Sequence, residues 1–287
     1  MNEYVKSPLN YTGGKHKLLP QLIPLFPDNI HTFVDLFAGG GNVVANVKSD
    51  IRCANDINDK VIEIFRYIQS YTYEDILGYI KSTIDAYELS MTNAEGYNKF
   101  RDYYNNCTKK HPLDLFILIC YSFNHQIRFN SKGNFNMPFG KDRSQFNKNI
   151  EKNLKEFHKA ISLDVIFSSK DFRKIDLLDH LKENDFVFCD PPYLITCASY
   201  NEQDGWNEKS EYELYELLDN LNKKGVKFGL TNVLENKGKT NEILQKWIND
   251  NPNYKVHHLN NSFNNCSYHG KNKESITDEV YVTNYMK

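Results

Sequence analysis

None of the six cysteines stands in a CxxC pair or a Cys/His cluster, so their spacing supplies neither a zinc site nor a disulfide framework. No apolar run approaches the ~18–20 residues that a membrane span needs, and the polar start Met1–Lys6 has no signal-peptide pattern. A reducing cytoplasm is therefore the expected setting. Neither GxGxxG nor GxxxxGK[ST] occurs, which removes the dinucleotide and phosphate-loop fingerprints. Repeats, low-complexity tracts and Gly/Ser linkers are absent as well. What remains is 287 residues, 40% hydrophobic and 25% charged, enough for one large domain or a core with a smaller insertion.

Charge is small in total and uneven in place. The formal net charge is −2, yet Lys99–Lys155 holds eleven Lys and Arg against four Asp and Glu, a local +7 that leaves −9 elsewhere. A basic middle on an acidic body is the footprint of a polyanion-binding segment. A solvated Lys-rich helix face is the other reading of the same run.

Hydrophobic periodicity predicts alternating strands and helices. His31–Phe37 is a short apolar run closed by Ala38, Gly39, Gly40 and Gly41, with a helix expected from Asn42. Ile51–Ala54 is a second strand, followed by helical spacing of Val61, Ile62, Phe65 and Ile68. Asp185–Cys189, Val226–Thr231 and Glu279–Thr283 are further strands, with helices expected near 210–223 and 239–250. This rhythm implies an α/β fold with a largely parallel, doubly wound sheet. Residues 71–163 break it. Helical stretches near 74–87, 93–105 and 112–123, and a hairpin turning at Lys132 and Gly133, suggest a mostly helical insertion in a core of 1–70 and 164–287.

Three motifs carry candidate chemistry. Asp35–Gly41 is a glycine loop after a strand, and Asp56 closes the next strand, where a carboxylate can accept ribose hydroxyls. A tight turn without ligand is the other reading of the glycines. Tyr11, Thr12, Gly13, Gly14 and Lys15 could present backbone and an ammonium to a carboxylate, or form an ordinary turn. Asp190-Pro191-Pro192-Tyr193 ends a buried strand. A carboxylate and a carbonyl accepting both hydrogens of an adenine amine would free its delocalised lone pair. Pro191 offers a carbonyl without a competing N–H, and Tyr193 offers a face for an extruded base, worth ~1–3 kcal/mol. A plain proline turn is the structural alternative.

In this order the motifs resemble the Dam-like DNA adenine-N6 methyltransferases, the D12 class with α-type motif order. The resemblance runs over most of the chain and includes Asn55–Asn58, Ser122–Asn124 and Ile127–Gly140. It implies a Rossmann-like methyltransferase sheet, with 71–163 as a target-recognition domain, and a catalytic site at Asp190, Pro191, Pro192 and Tyr193. By the same resemblance, S-adenosyl-L-methionine is held by Tyr11, Gly13, Gly14, Lys15, Asp35, Phe37, Gly39, Gly40, Asp56, Asp171, Phe172 and Asp190. Duplex DNA is met by Phe123, Asn124, Arg128, Asn130, Lys132, Asn136 and Pro138, and no metal is called for. The implied partners are double-stranded DNA and a separately acting restriction endonuclease, with no membrane.

Two departures stand out: Tyr11 replaces a tryptophan, and His125-Gln126 replaces Gly-Leu or Gly-Met in the reading element. The segment Leu194–Lys209, with Thr196, Tyr200, Gly205 and Trp206, is expected to be a mobile loop. The implied reaction is direct in-line transfer, the enzyme orienting its substrates. No Pro-Cys pair supports attack by cysteine on a pyrimidine. Methylation of RNA amino groups, of cytosine N4, and a catalytically silent DNA-binding module are the competing readings; the hairpin string and intact Asp190–Tyr193 favour DNA adenine methylation over all three.

Overall fold

The computed structural model describes residues 4–162, 164–196, 205–260 and 277–287. In chain order the elements are α1 (Leu19–Leu22), β1 (Thr32–Asp35), β2 (Ile51–Asn55), α2 (Asp59–Ser70), α3 (Tyr73–Ala86), α4 (Ala94–Asn106), α5 (Pro112–Tyr121), α6 (Lys148–Ala160) and β3 (Val165–Ser168). There follow β4 (Phe186–Cys189), α7 (Glu208–Lys223), β5 (Lys227–Asn236), β6 (Lys239–Thr240), α8 (Glu242–Asp250), β7 (Lys255–Leu259) and β8 (Thr277–Thr283). The chain divides into two compact units. Unit 1 is Met1–His16, Gly39–Asn46 and Asp56–Ser169; unit 2 is Lys17–Ala38, Val47–Asn55 and Lys170–Lys287.

Unit 2 holds the sheet in the order β2-β1-β4-β5-β8-β7. β1 runs parallel to β2 and β4, and β4 parallel to β5. β8 is antiparallel to both β5 and β7. β1 and β4 are buried at every position, as strands covered on both faces must be. Val34, Val187, Leu214, Leu218, Phe228 and Trp247 belong to one continuous core, each side chain contributing roughly 1.5–3 kcal/mol on burial. The mixed α/β architecture, mostly parallel, is the Rossmann-like methyltransferase fold expected.

Unit 1 is built around α5, whose residues from Leu113 to Tyr121 are all buried, the pattern of a helix packed on all sides. α2, α3 and α4 pack on it. Its one acid, Asp114, accepts the Tyr79 hydroxyl at 2.7 Å, and burial raises its pKa against that bond and the nearby His111. The ionised form is thus disfavoured in the folded state. Stability should fall as pH rises from the ordinary carboxylate range through the raised folded value, because the unfolded chain ionises first. Asp114→Asn keeps an acceptor for Tyr79, so urea unfolding should show higher stability at neutral pH and loss of that pH-dependent decline.

Several local expectations are corrected. Asn42 opens no helix: residues 42–46 form turns. The Asn42 side chain accepts Ser7 N–H, and Asn46 Nδ2 donates to the Asn42 and Val5 carbonyls, which competes with helical bonding. Lys239 and Thr240 pair back onto β5, so the helix after them starts only at Glu242. β5 runs five residues beyond Thr231. α6, β3 and β7 were unforeseen. The hairpin around Gly133 is present in compact form: Phe129 and Phe135 make an antiparallel bridge, and Gly133 takes φ +75°, which favours glycine.

Candidate active site

The glycine-loop and Asp190–Tyr193 candidates form two constellations, one in each unit. In unit 1, the Asp56 carboxylate accepts Gly39 N–H at 2.8 Å and Asn58 N–H at 2.9 Å. Burial raises its pKa while these two backbone bonds pull it down. The result is a rigidly aimed acceptor. Beside it Ile57 stands 73% exposed. Tyr11 O accepts Gly14 N–H at 3.0 Å, and the buried Lys15 donates Nζ to Gly13 O at 3.0 Å.

The glycine loop packs on Tyr11. A Cβ on Gly39 or Gly40 would lie 3.0 Å from Tyr11 carbons, and Gly39 has φ +49°. The glycines therefore make room for an internal ring as well as a tight turn. Burial raises the Tyr11 phenol well above its usual value, Asp56 adds to this, and the Asn58 side chain opposes it. Tyr11 is a neutral hydrogen-bonding group.

In unit 2, β4 delivers Asp190 to a buried cluster. Thr231 Oγ1 donates to Asp190 Oδ1 at 2.7 Å. The Tyr193 hydroxyl lies 3.0 Å from the same oxygen and 2.7 Å from Glu279 Oε1. Pro191 is buried, Pro192 exposed, and the Tyr193 ring half-buried. Burial pushes the Tyr193 phenol far up, reinforced by Asp190 and Glu279. Asp35, at the end of β1, is 1% exposed. Cys189 is buried, and its thiol is raised well above the usual value by burial, then by Asp35 and Asp190. It is no nucleophile.

Phe37, Phe172 and Trp206 form an aromatic cluster with centroids 5.5–5.6 Å apart. Asp171 accepts Arg173 Nη1 with both oxygens at 3.0 and 2.8 Å, which fixes its orientation. Of the segment expected as a mobile loop, Tyr200 lies outside the described residues, and Glu208 and Lys209 already belong to α7. Trp206 is anchored: its indole N–H donates to Glu211. Glu211 is 0% exposed and also accepts Tyr215, Asn232 and Asn241 at 2.6–2.9 Å.

The DNA-binding candidates share one element of unit 1. Phe123 is 38% exposed with the Arg143 guanidinium 5.0 Å over its ring, and its N–H reaches Pro138 O at 2.8 Å. Asn124 and His125 both take left-handed backbone, φ 57° and 53°. His125 therefore bears a side chain in a conformation that suits glycine. Arg128 donates Nε to Asn136 Oδ1 and Nη2 to Asn136 O, both at 2.9 Å. Asn130 Oδ1 accepts Lys132 and Asn134 N–H at 3.0 Å, so its side chain builds the turn. Lys132 is exposed.

Sequence reasoning missed Thr231, Glu279, Glu211 and Arg173. Thr231 gave no signal in the sequence: it is the β4–β5 register, with Cys189 beside Leu230, that sets Asp190 and Thr231 side by side. Glu279 is an acid heading the apolar run Val280–Val282, the mark of a buried charge with a task. Glu211 and Arg173 gave none, since an acid on an amphipathic helix and a lone arginine are ordinary surface choices.

Residues 11–264 match the D12 class N6 adenine-specific DNA methyltransferase family. The chain is 48% identical over 289 residues to the type II methyltransferase M.FokI of Planomicrobium okeanokoites. It is 45% identical over 288 residues to the modification methylase StsI of Streptococcus sanguinis. Both alignments cover 99% of this chain and 43% of the relative, so the chain spans less than half the length of either. A DNA adenine methylase of Haemophilus influenzae is 29% identical over 191 residues, covering 64% of this chain and 63% of that protein. The glycine loop with Asp56 and the Asp190–Tyr193 corner lie inside the matched range, and the chain belongs to the D12 class N6 adenine-specific DNA methyltransferase family.

Proposed function

We propose that the protein transfers a methyl group from S-adenosyl-L-methionine to N6 of an adenine swung out of duplex DNA. The observation that carries this reading is Asp190, held at the mouth of a buried strand by the Thr231 hydroxyl and lying 3.0 Å from the Tyr193 hydroxyl, in a chain of this family. The cofactor, when bound, supplies an electrophilic methyl group on sulfonium. Asp56 suits its ribose diol, being a carboxylate already aimed by two backbone N–H groups. Tyr11, Gly13, Gly14 and Lys15 suit its zwitterionic end, and Phe37 and Phe172 its adenine.

Asp190 and the Pro191 carbonyl accept the two amine hydrogens, turning the nitrogen lone pair out of ring conjugation. The half-buried Tyr193 ring offers a stacking face while its hydroxyl is held. The proton leaves through Asp190 or water. Residues 71–163 are assigned to target recognition, and 1–70 with 164–287 to catalysis. The modification role named for the relatives would pair the protein with a separate restriction endonuclease in the cytoplasm. Incorporation of tritiated methyl into unmethylated duplex DNA tests the reading, with sequencing for N6-methyladenine to give the site; label only in RNA, or none, would overturn it.

Arg128 is proposed to exchange its Asn136 contacts for a guanine edge, a bidentate pairing worth ~1–3 kcal/mol of discrimination. Arg128→Ala should therefore relax sequence preference more than it weakens non-specific binding. Equal losses in filter-binding titrations over a salt series would mean a phosphate contact only.

A further inference from the structure

Glu279 sits on β8, an interior strand flanked by β5 and β7, and is 1% exposed. Its neighbours along the strand, Val280, Tyr281 and Val282, are fully buried. A carboxylate in such a place costs several kcal/mol of desolvation, and an apolar residue of similar size would serve packing better. Something must offset that cost. One contact that does so is the Tyr193 hydroxyl, 2.7 Å from Glu279 Oε1.

Tyr193 has one hydroxyl hydrogen and two carboxylates near it, at 2.7 Å on Glu279 and 3.0 Å on Asp190. The shorter contact marks Glu279 as the acceptor. Asp190 Oδ1 then receives its hydrogen from Thr231 at 2.7 Å. β5 and β8 thus each send one polar side chain to the corner: Thr231 fixes the acid and Glu279 fixes the aromatic. Their placement is locked by the sheet, since Thr231 pairs with Tyr281 and Val233 with Glu279 in the β5–β8 ladder. Without Glu279 the Tyr193 ring could pivot, and with it the face on which a base would lie.

We infer that Glu279 is a positioning residue for the Asp190–Tyr193 corner, acting through the Tyr193 hydroxyl on the geometry of methyl transfer. This rests on the activity proposed above. Misplacement of reacting groups by about 1 Å costs about 10²-fold, which sets the scale. Glu279→Ala should lower kcat ~10–100-fold while KM for DNA and for S-adenosyl-L-methionine stays within about two-fold. Glu279→Gln retains an acceptor for the phenol and should restore kcat to within about three-fold of wild type.

The decisive comparison is a double-mutant cycle. In a Tyr193→Phe background, which keeps the ring but removes the hydroxyl, Glu279→Ala should cost less than about two-fold further. If Glu279→Ala does not fold by circular dichroism, Glu279→Met fills the same volume without an acceptor and takes its place in the cycle. An undiminished loss in the Tyr193→Phe background, or a wild-type kcat in Glu279→Ala, overturns the inference. A wild-type protein that methylates no adenine overturns the activity itself, which separates the two failures.

Discussion

Asp190→Ala is expected to lower methyl incorporation into DNA by about 10³-fold, a loss in the range of a positioned proton acceptor, while DNA binding stays within a few-fold. The carboxylate is the acceptor on which the proposed amine activation depends, and Thr231 offers it a hydroxyl hydrogen rather than an acceptor in its place. Asp190→Asn is the sharper variant. Its Oδ1 still accepts Thr231, so the corner keeps its packing, and the transfer step alone loses the anionic acceptor. Rates measured at saturating DNA and cofactor, together with thermal midpoints, decide the matter. Loss of folding in both variants, or retention of activity in both, would make the acid structural.

Glu211→Ala is expected to have the largest effect on stability, ~3–5 kcal/mol, the scale on which breaking a buried charged network falls. Four donors converge on this fully buried carboxylate: the Trp206 indole, the Tyr215 hydroxyl and the amides of Asn232 and Asn241. Alanine would strand all four, and each buried unsatisfied group costs roughly 1–3 kcal/mol before relaxation and water entry. Glu211→Gln should cost less, because one oxygen still accepts while the amide nitrogen faces a donor. Urea unfolding midpoints of the two variants give the order. Equal midpoints for wild type and Glu211→Ala would show that water replaces the carboxylate without loss.

The parts of the fold that were legible in the sequence are those with a single dominant physical cause. β1 and β4 are apolar runs closed by breakers, and α2 shows Val61, Ile62, Phe65 and Ile68 on one face, all buried as expected. What failed had competing local causes. The turn at 42–46 is decided by the Asn42 and Asn46 side chains bonding to the N-terminal segment, contacts at a separation of 35 residues or more that no window shows. β7 lacks an apolar run, with Lys255, His257 and His258 among its five residues. β3 is a three-residue apolar run, Val165–Phe167, with no glycine or proline breaker beside it to mark its end.

The site was legible in its motifs and illegible in its supports. Asp56, Asp190 and Tyr193 stand out in the sequence because their residue types carry chemistry in an ordered pattern. Thr231 and Glu279 act by lying beside them in the sheet, and strand register cannot be read until the strands are paired. Arg128 is assigned to DNA through the family resemblance, and its bracing of Asn136 within the hairpin has no mark in the sequence.

Both tryptophans of the chain, Trp206 and Trp247, fall in unit 2, and each gives its indole N–H to a carboxylate, Glu211 or Asp219. Indole emission is therefore a reporter on that unit alone, and unit 1, rich in helix and without tryptophan, is dark to it. A denaturant titration followed at once by emission and by far-ultraviolet ellipticity would give one shared midpoint if the units melt as a single cooperative body. Separated midpoints would show that the helical unit opens on its own.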